Sequence, residues 1–136
     1  MPVMIWKRRR ICWERMADMC CRGDVYYADL GAPTGSCQCG LRPVLVVSND
    51  TVNVHAPVIT VVPITSRHKA MYMPTHVLLP KQAVTGLKHT SVALVEQVTT
   101  IDKSQLLSHA GRVLDDSLME KVAQALQLQL GIFPKW

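Results

Sequence analysis

The sequence predicts an α+β fold in which a small strand-rich sheet or barrel is followed by one C-terminal helix. Short Val- and Ile-rich segments recur from residue 24 onward, clusters of Gly and Pro separate them, and one amphipathic segment closes the sequence. The length of 136 residues corresponds to one ordinary domain. Apolar residues make up 49% and charged residues 18%, as in globular proteins, and no apolar run is long enough to cross a membrane.

The first half of the domain is predicted to contain three strands and one long loop. Residues 24–30 alternate like a strand, and residues 42–49 and 57–65 are apolar on both faces, which is typical of strands inside a sheet. Pro63 indicates an edge or a bulge near the end of the third strand. Residues 31–40 are rich in turn-forming residues and predict a loop of a length that often carries function.

The second half is predicted to contain further strands at residues 75–79, 91–100 and 109–114. Asp102 with Gln105 three residues later resembles a capping box, which predicts a short helix over residues 103–108. Two aspartates then begin a final helix that runs to about Leu130 and ends before Gly131. One stripe of this helix is expected to face the core: Leu118, Val122, Ala125, Leu126 and Gln129.

The positive charge is concentrated at the N-terminus. Residues 1–22 contain six Lys or Arg against two Asp or Glu, a net of +4 out of +5 for the whole chain. The charge therefore does not indicate that the folded body binds nucleic acid. We expect residues 1–22 to be a basic extension that packs poorly and residues 23–136 to form the domain. Because Met16 reads like an ordinary start, residues 1–15 are expected not to belong to the natural protein.

The five cysteines do not predict a disulfide framework, because their number is odd and no secretory signal precedes them. Reduced thiols in a cytoplasm are the expectation. A zinc site could be drawn from Cys20, Cys21, Cys37 and Cys39. Each pair, however, lacks the usual two-residue gap and no His is adjacent, so we expect no metal.

Arg42 and Thr65 are the first candidate site residues. The sequence contains no phosphate-binding glycine loop, no paired His on a helix and no nucleophile elbow. If the second and third strands form a hairpin centred between Asn53 and Val54, Arg42 lies directly opposite Thr65. A guanidinium beside a hydroxyl suits a phosphate. The alternative, favoured by spacing alone, is a surface cation and an ordinary strand residue.

Glu96 is the second candidate, because it falls at period two with three apolar residues of its predicted strand. Such a carboxylate either pairs with a cation, in the simplest case an Arg, or has a raised pKa. Gln97 is expected to point the other way. Arg67, followed by His68 and Lys69, is either local positive charge at the end of the third strand or a solvated loop. Four scattered histidines are interpreted as structural: His55, His76, His89 and His109.

Six short motifs occur in a fixed order: GDVYYADL (23–30), GLRPVLVV (40–47), PITS (63–66), PTHV (74–77), VEQV (95–98) and TIDK (100–103). Together they resemble the MazF/PemK toxins of bacterial toxin–antitoxin pairs. Each motif is short, but six in this order are specific, and the match covers about residues 23–132. The resemblance implies a small SH3-like β-barrel with a C-terminal helix, which agrees with the strand pattern.

The resemblance also implies an activity and partners. It implies a sequence-specific endoribonuclease that cleaves single-stranded RNA, mainly mRNA, without metal or other cofactor. It further implies a cytoplasmic bacterial homodimer, not bound to membranes, that a cognate antitoxin neutralises.

Residue by residue, the family's catalytic Arg and Thr map onto Arg42 and Thr65. Arg42 would stabilise the charge on the phosphorane when the RNA 2′-hydroxyl attacks the adjacent phosphate, and Thr65 would position that phosphate. Glu96 would be structural or would tune a pKa. RNA binding is expected at Ser36, Gly40, Ser66, Arg67 and Gln97.

Residues 35–40 depart from the family pattern. The family often has Gly-Ser-Glu-Gln-Gly-Gly, whereas this chain has Gly-Ser-Cys-Gln-Cys-Gly, so Cys37 replaces a carboxylate. This difference leaves open an inactive interaction module of the same fold. A CcdB-like gyrase poison is a second alternative, for which the aromatic residues among 133–136 are a faint indication. The basic residues 1–22 also have a second interpretation, namely an arm that strengthens RNA binding through phosphate contacts.

Overall fold

The computed structural model describes residues 20–67 and 73–132. Residues 1–19, which make up most of the predicted basic extension, lie outside the described part. The strands are β1 (Asp24–Asp29), β2 (Leu41–Val46), β3 (Val58–Thr65), β4 (His76–Leu79), β5 (Ser91–Leu94), β6 (Thr99–Asp102) and β7 (Leu106–Arg112). The helices are α1 (Asp50–His55) and α2 (Asp116–Gln129), with 3-10 helices at Lys81–Ala83, Val95–Gln97 and Lys103–Gln105.

The seven strands form one antiparallel sheet in the order β4-β5-β3-β2-β1-β7, and β6 pairs with the first part of β3. Val84, which follows β4, makes an isolated bridge with Val113, which follows β7. This bridge brings the two ends of the sheet together at one point. The predicted α+β class with a C-terminal helix is confirmed, although the sheet is not closed, so it is a barrel only in a loose sense.

The sheet buries an apolar cluster on each face. On one face, Leu118, Val122 and Ala125 of α2 pack against the sheet around Leu45 and Val62, as the helical stripe predicts. On the other face, the cluster consists of Ala28, Val44, Val46, Ile59, Val61 and Ile101. Complete burial of a Val, Leu or Ile side chain stabilises a fold by roughly 1.5–3 kcal/mol. The two clusters therefore hold β2 and β3, which occur in both, as the rigid centre of the sheet.

The predicted single strand over residues 91–100 is wrong. The chain leaves β5 at Leu94, whose φ and ψ are −92° and 80°, forms the 3-10 helix Val95–Gln97, and enters β6 at Thr99. The interruption lets the chain change partners, because β5 pairs with Ile64 and Thr65 whereas β6 pairs with residues 58–61 of β3. Tertiary pairing thus decides the local conformation.

The predicted helix over residues 103–108 is shorter than expected. The capping box is present, since Asp102 accepts a bond from Ser104 N at 3.2 Å and its own N–H donates to Gln105 Oε1 at 2.9 Å. The helix nevertheless ends at Gln105, because Leu106 is taken up by β7 and pairs with Ala28. The final helix begins at its predicted cap, where Asp115 accepts a hydrogen bond from Ser117 N at 2.9 Å.

Cys20, Cys37 and Cys39 are free thiols. Among the described helices, none has the length and apolar character needed to span a bilayer.

Candidate active site

Arg42 and Thr65 lie at the same end of the sheet because of the register between β2 and β3. Val44 pairs with Pro63 and Val46 with Val61, which is the register that the predicted hairpin requires. The printed pairing ends at Val44 and Pro63, so Arg42 and Thr65 each lie two residues beyond it at the same end of the sheet. Strand alternation puts both positions on the sheet face that carries Val44 and Val61, away from α2. The connection between the strands contains α1 instead of a tight turn, yet the register is as predicted.

The guanidinium of Arg42 is half-buried and held from one side. Its Nε donates to the backbone oxygen of Cys39 at 3.1 Å. None of the carboxylates in the described ranges forms an ion pair with Arg42. Because a guanidinium presents five N–H donors, the two terminal nitrogens can still bind an anion in a fork.

Thr65 is buried, and its hydroxyl forms a hydrogen bond within the turn that follows β3. Its Oγ1 accepts a hydrogen bond from the N–H of Arg67 at 3.2 Å, which leaves the hydroxyl proton to be donated. Ser66 and Arg67 follow on the exposed surface. His68 and Lys69 lie outside the described residues. This end of β3 thus combines one buried hydroxyl with one exposed cation.

The loop at residues 31–40 adjoins Arg42 and is closed at its base. Leu30 N donates to Gly40 O, and Gly40 N donates to Gly31 O, each at 2.9 Å. Gly40 has a φ of 68°, in the left-handed region that favours glycine. Ser36 lies in the exposed tip of this loop. Because Arg42 is bonded to Cys39, the conformation of the loop affects the direction of its guanidinium.

Gln97 forms two hydrogen bonds with this loop, whereas the neighbouring Glu96 bonds residues of a different segment. Its Oε1 accepts a hydrogen bond from Gln38 N at 2.7 Å, and its Nε2 donates to Ser36 O at 3.3 Å. The sequence placed Gln97 in the site but did not predict this partner. The two bonds attach the loop tip to the 3-10 helix Val95–Gln97.

Glu96 is not on a strand face, and its partner is a histidine. Its Oε2 lies 2.8 Å from His76 Nε2, and its Oε1 accepts a bond from Thr75 Oγ1 at 3.1 Å. The predicted pairing with an Arg is therefore wrong. The side chain of His76 is only 2% exposed. Sequence reasoning missed this role of His76, although its place at the start of a strand within the PTHV motif was a usable signal.

A second group of titratable side chains lies on β1 and just before it. Burial raises the pKa of Asp24, of the Cys20 thiol and of the Tyr26 hydroxyl. Asp24 Oδ2 accepts a bond from Cys21 N at 2.9 Å, and His109 Nε2 lies 3.7 Å from Asp24 Oδ1. Within residues 20–67 and 73–132, no group of three or more His, Cys, Asp or Glu is arranged to hold a metal ion.

Comparison with known proteins identifies the family. Residues 21–130 match the family described as PemK-like, MazF-like toxin of type II toxin-antitoxin system. The chain belongs to this family. It is 44% identical over 111 residues to Endoribonuclease EndoA of Bacillus subtilis (strain 168), covering 82% of this chain and 94% of that protein.

Solved structures of endoribonucleases have a similar fold. An endoribonuclease from a mycobacterial species has a TM-score of 0.69 and 27% identity, covering 86% of this chain and 97% of that one. A structure of an endoribonuclease in complex with its cognate antitoxin, also from a mycobacterial species, has a TM-score of 0.67 and 28% identity, covering 87% of this chain and 99% of that one.

Proposed function

We propose that this chain is the toxin component of a type II toxin–antitoxin system and that it cleaves single-stranded RNA, mainly mRNA, at specific sequences. The proposal is supported by the register of β2 and β3, which brings Arg42 and Thr65 to the same end of the sheet, and by the bond from Arg42 Nε to Cys39 of the adjoining loop. A relative that is 44% identical is named an endoribonuclease, which supports the same activity here.

The proposed chemistry uses only the RNA, the protein and solvent water. The 2′-oxygen of a ribose attacks the adjacent phosphorus as it gives its proton to a solvent water, the P–O2′ bond forms, and the P–O5′ bond breaks as the 5′-oxygen takes a proton from water. The products are a 2′,3′-cyclic phosphate and a free 5′-hydroxyl. Arg42 stabilises the extra negative charge of the phosphorane with its terminal N–H groups. Because its pKa is so high, an arginine is a poor general base.

Thr65 positions the phosphate by donating its hydroxyl proton to a non-bridging oxygen. The Oγ1 acceptor position is already used by Arg67 N–H at 3.2 Å, so the hydroxyl proton is directed elsewhere. Ser66 and Arg67 would contact the next phosphate at this end of the sheet.

Ser36 and Gly40 belong to the loop that borders Arg42 and would contact bases beside the cleaved bond. Gln97 would contribute through the same loop, since it holds Ser36 and Gln38. Cys37 is exposed at the loop tip, at a position where the family often has a carboxylate. The RNA sequence that this protein prefers should therefore differ from the one preferred by relatives that keep the carboxylate. Single strands suit such a site because their bases are free to be read.

We further propose a homodimer in the bacterial cytoplasm that a cognate antitoxin neutralises. A small sheet offers little surface for several nucleotides, and a groove lined by two copies would double it. A structural relative is in complex with its cognate antitoxin, which supports an antitoxin partner here. Light scattering at micromolar concentration tests the dimer, and an active monomer would contradict it.

The experiment that tests the proposed function assays the purified protein for two activities, RNA cleavage and gyrase-dependent DNA breakage. Purified protein should cleave single-stranded RNA in the presence of EDTA and should not cause gyrase-dependent DNA breakage. RNA that stays intact while DNA breaks would favour a CcdB-like poison. Inactivity in both assays would favour an interaction module.

A further inference from the structure

A chain of hydrogen bonds begins in β4 and reaches the 3-10 helix Val95–Gln97. His76 Nε2 lies 2.8 Å from Glu96 Oε2, Thr75 Oγ1 donates to Glu96 Oε1 at 3.1 Å, and Val95 N donates to Thr75 O at 3.3 Å. The side chain of His76 is 2% exposed and that of Glu96 is 21% exposed. In such surroundings a carboxylate is held firmly by its partners, and the loss of one partner is costly.

The same 3-10 helix holds the tip of the loop at residues 31–40. Gln97 accepts from Gln38 N at 2.7 Å and donates to Ser36 O at 3.3 Å. Within the described residues, the loop tip, residues 36–38, forms no other hydrogen bond outside the loop. The following residue, Cys39, accepts the bond from Arg42 Nε at 3.1 Å. The order of contacts is therefore His76, Glu96, Gln97, the loop and Arg42.

We propose that His76 is a positioning residue for RNA cleavage: by fixing Glu96 it orients Gln97, which holds the loop that directs Arg42. The inference rests on the proposed endoribonuclease function. Without the His76 bond, Glu96 keeps only the side-chain bond from Thr75 Oγ1, so its carboxylate and the 3-10 helix that carries Gln97 are held less firmly. A displacement of about 1 Å at a group that stabilises a transition state is enough to lower a rate about a hundredfold. His76 itself does not touch the RNA.

The test compares His76→Val, which removes the bond, with His76→Gln, whose amide N–H replaces the imidazole donor. For His76→Val we expect kcat on a single-stranded RNA oligonucleotide to fall by at least about tenfold, with a smaller change in KM. Hydrogen exchange of the Gln38 N–H, measured by NMR, should become at least about tenfold faster, because its acceptor on Gln97 is no longer fixed. His76→Gln should restore both quantities to within about threefold of the wild type.

A matched control separates positioning from stability. Val77→Ala changes the next residue of β4, which is buried in the cluster beneath α2, and should lower the free energy of unfolding without changing kcat or Gln38 exchange. If His76→Val does not fold, Thr75→Val breaks the other side-chain bond to Glu96 and should give a weaker form of the same loss.

The proposal is overturned by any one of three results: unchanged kcat and Gln38 exchange in His76→Val, no recovery in His76→Gln, or an equal loss of kcat in Val77→Ala. If the wild type cleaves no RNA, the proposed function fails, and the exchange of the Gln38 N–H still decides whether His76 holds the loop.

Discussion

Val44 lies opposite Pro63 across β2 and β3, and two residues beyond this pair Arg42 and Thr65 lie at the same end of the sheet. A slip of one residue would move one of the two side chains to the face covered by α2. The clusters on both faces oppose such a slip, since Val44 and Leu45 are fully buried on opposite sides. The proposed site therefore depends on the packing of the whole sheet.

Replacing Arg42 should abolish most of the RNA cleavage. We expect Arg42→Ala to lower kcat by about 100- to 1,000-fold, the usual effect of removing a group that stabilises transition-state charge. Arg42→Lys should also fail, because an ammonium group cannot reproduce the fork of a guanidinium. Both variants should keep the wild-type Tm, since Arg42 lies at a strand end. Lys88→Ala, at an exposed cation between β4 and β5, is the control that should leave kcat unchanged. Near-normal cleavage by Arg42→Ala would refute the site.

Two substitutions of Thr65 should distinguish the contribution of its hydroxyl to RNA cleavage from the contribution of its buried side chain to packing. Thr65→Val keeps the buried shape but removes the donor and the acceptor of Arg67 N–H, so kcat/KM should fall by at least about tenfold. Thr65→Ser keeps the hydroxyl and should retain most of the activity. The measurement is the initial rate on one single-stranded RNA oligonucleotide. Equal rates for the Val and Ser variants would show that the hydroxyl has no role.

Gly86 should be far less tolerant of substitution than Gly31. Both have similar φ values, +81° and +85°, but a Cβ on Gly86 would lie 1.9 Å from Ala110 O, whereas one on Gly31 meets nothing within 4 Å. We expect Gly31→Ala to cost about 1–2 kcal/mol of unfolding free energy through φ alone. Gly86→Ala should cost more than about 4 kcal/mol, because backbone must move. Urea unfolding measures both. Equal costs would mean that the sheet ends do not approach so closely.

Asp24 should make stability depend on pH in a defined direction. Burial raises its pKa above the ordinary value of 3.8, despite the opposing effects of Cys21 N–H, His109 and Arg112. Protonation therefore favours the folded state, and this contribution is complete below the unfolded pKa and is lost as pH rises through the folded pKa.

The pH dependence can be isolated with Asp24→Asn, which keeps an oxygen acceptor for Cys21 N–H but does not ionise. The unfolding free energy of the wild type minus that of this variant should fall as pH rises from about 3 and then level off above the folded pKa. Urea unfolding across that range gives the difference. A difference that rises with pH would indicate a lowered pKa and would contradict the role of burial.

The predicted register of β2 and β3 is confirmed at residues 44–46 and 61–63, whereas the direct pairing of Arg42 with Thr65 stays a prediction. The sequence does not predict the partner of Glu96. A period-two pattern continues through residues 92–98, but the chain breaks at Leu94 because β5 and β6 pair with different parts of β3. Such a break is decided by distant residues, and the pairing of His76 with Glu96 follows from it. The interpretation of residues 1–22 as a poorly packed basic extension stays a prediction.

The most direct test of the central claim is the chemistry of the RNA ends. Purified protein is incubated with single-stranded RNA in EDTA, and the termini of both fragments are identified by mass spectrometry. Attack by the 2′-hydroxyl, stabilised by Arg42, predicts a 2′,3′-cyclic phosphate on the upstream fragment and a 5′-hydroxyl on the downstream fragment. A 3′-hydroxyl with a 5′-phosphate, or cleavage that occurs only with added divalent metal, would contradict the account.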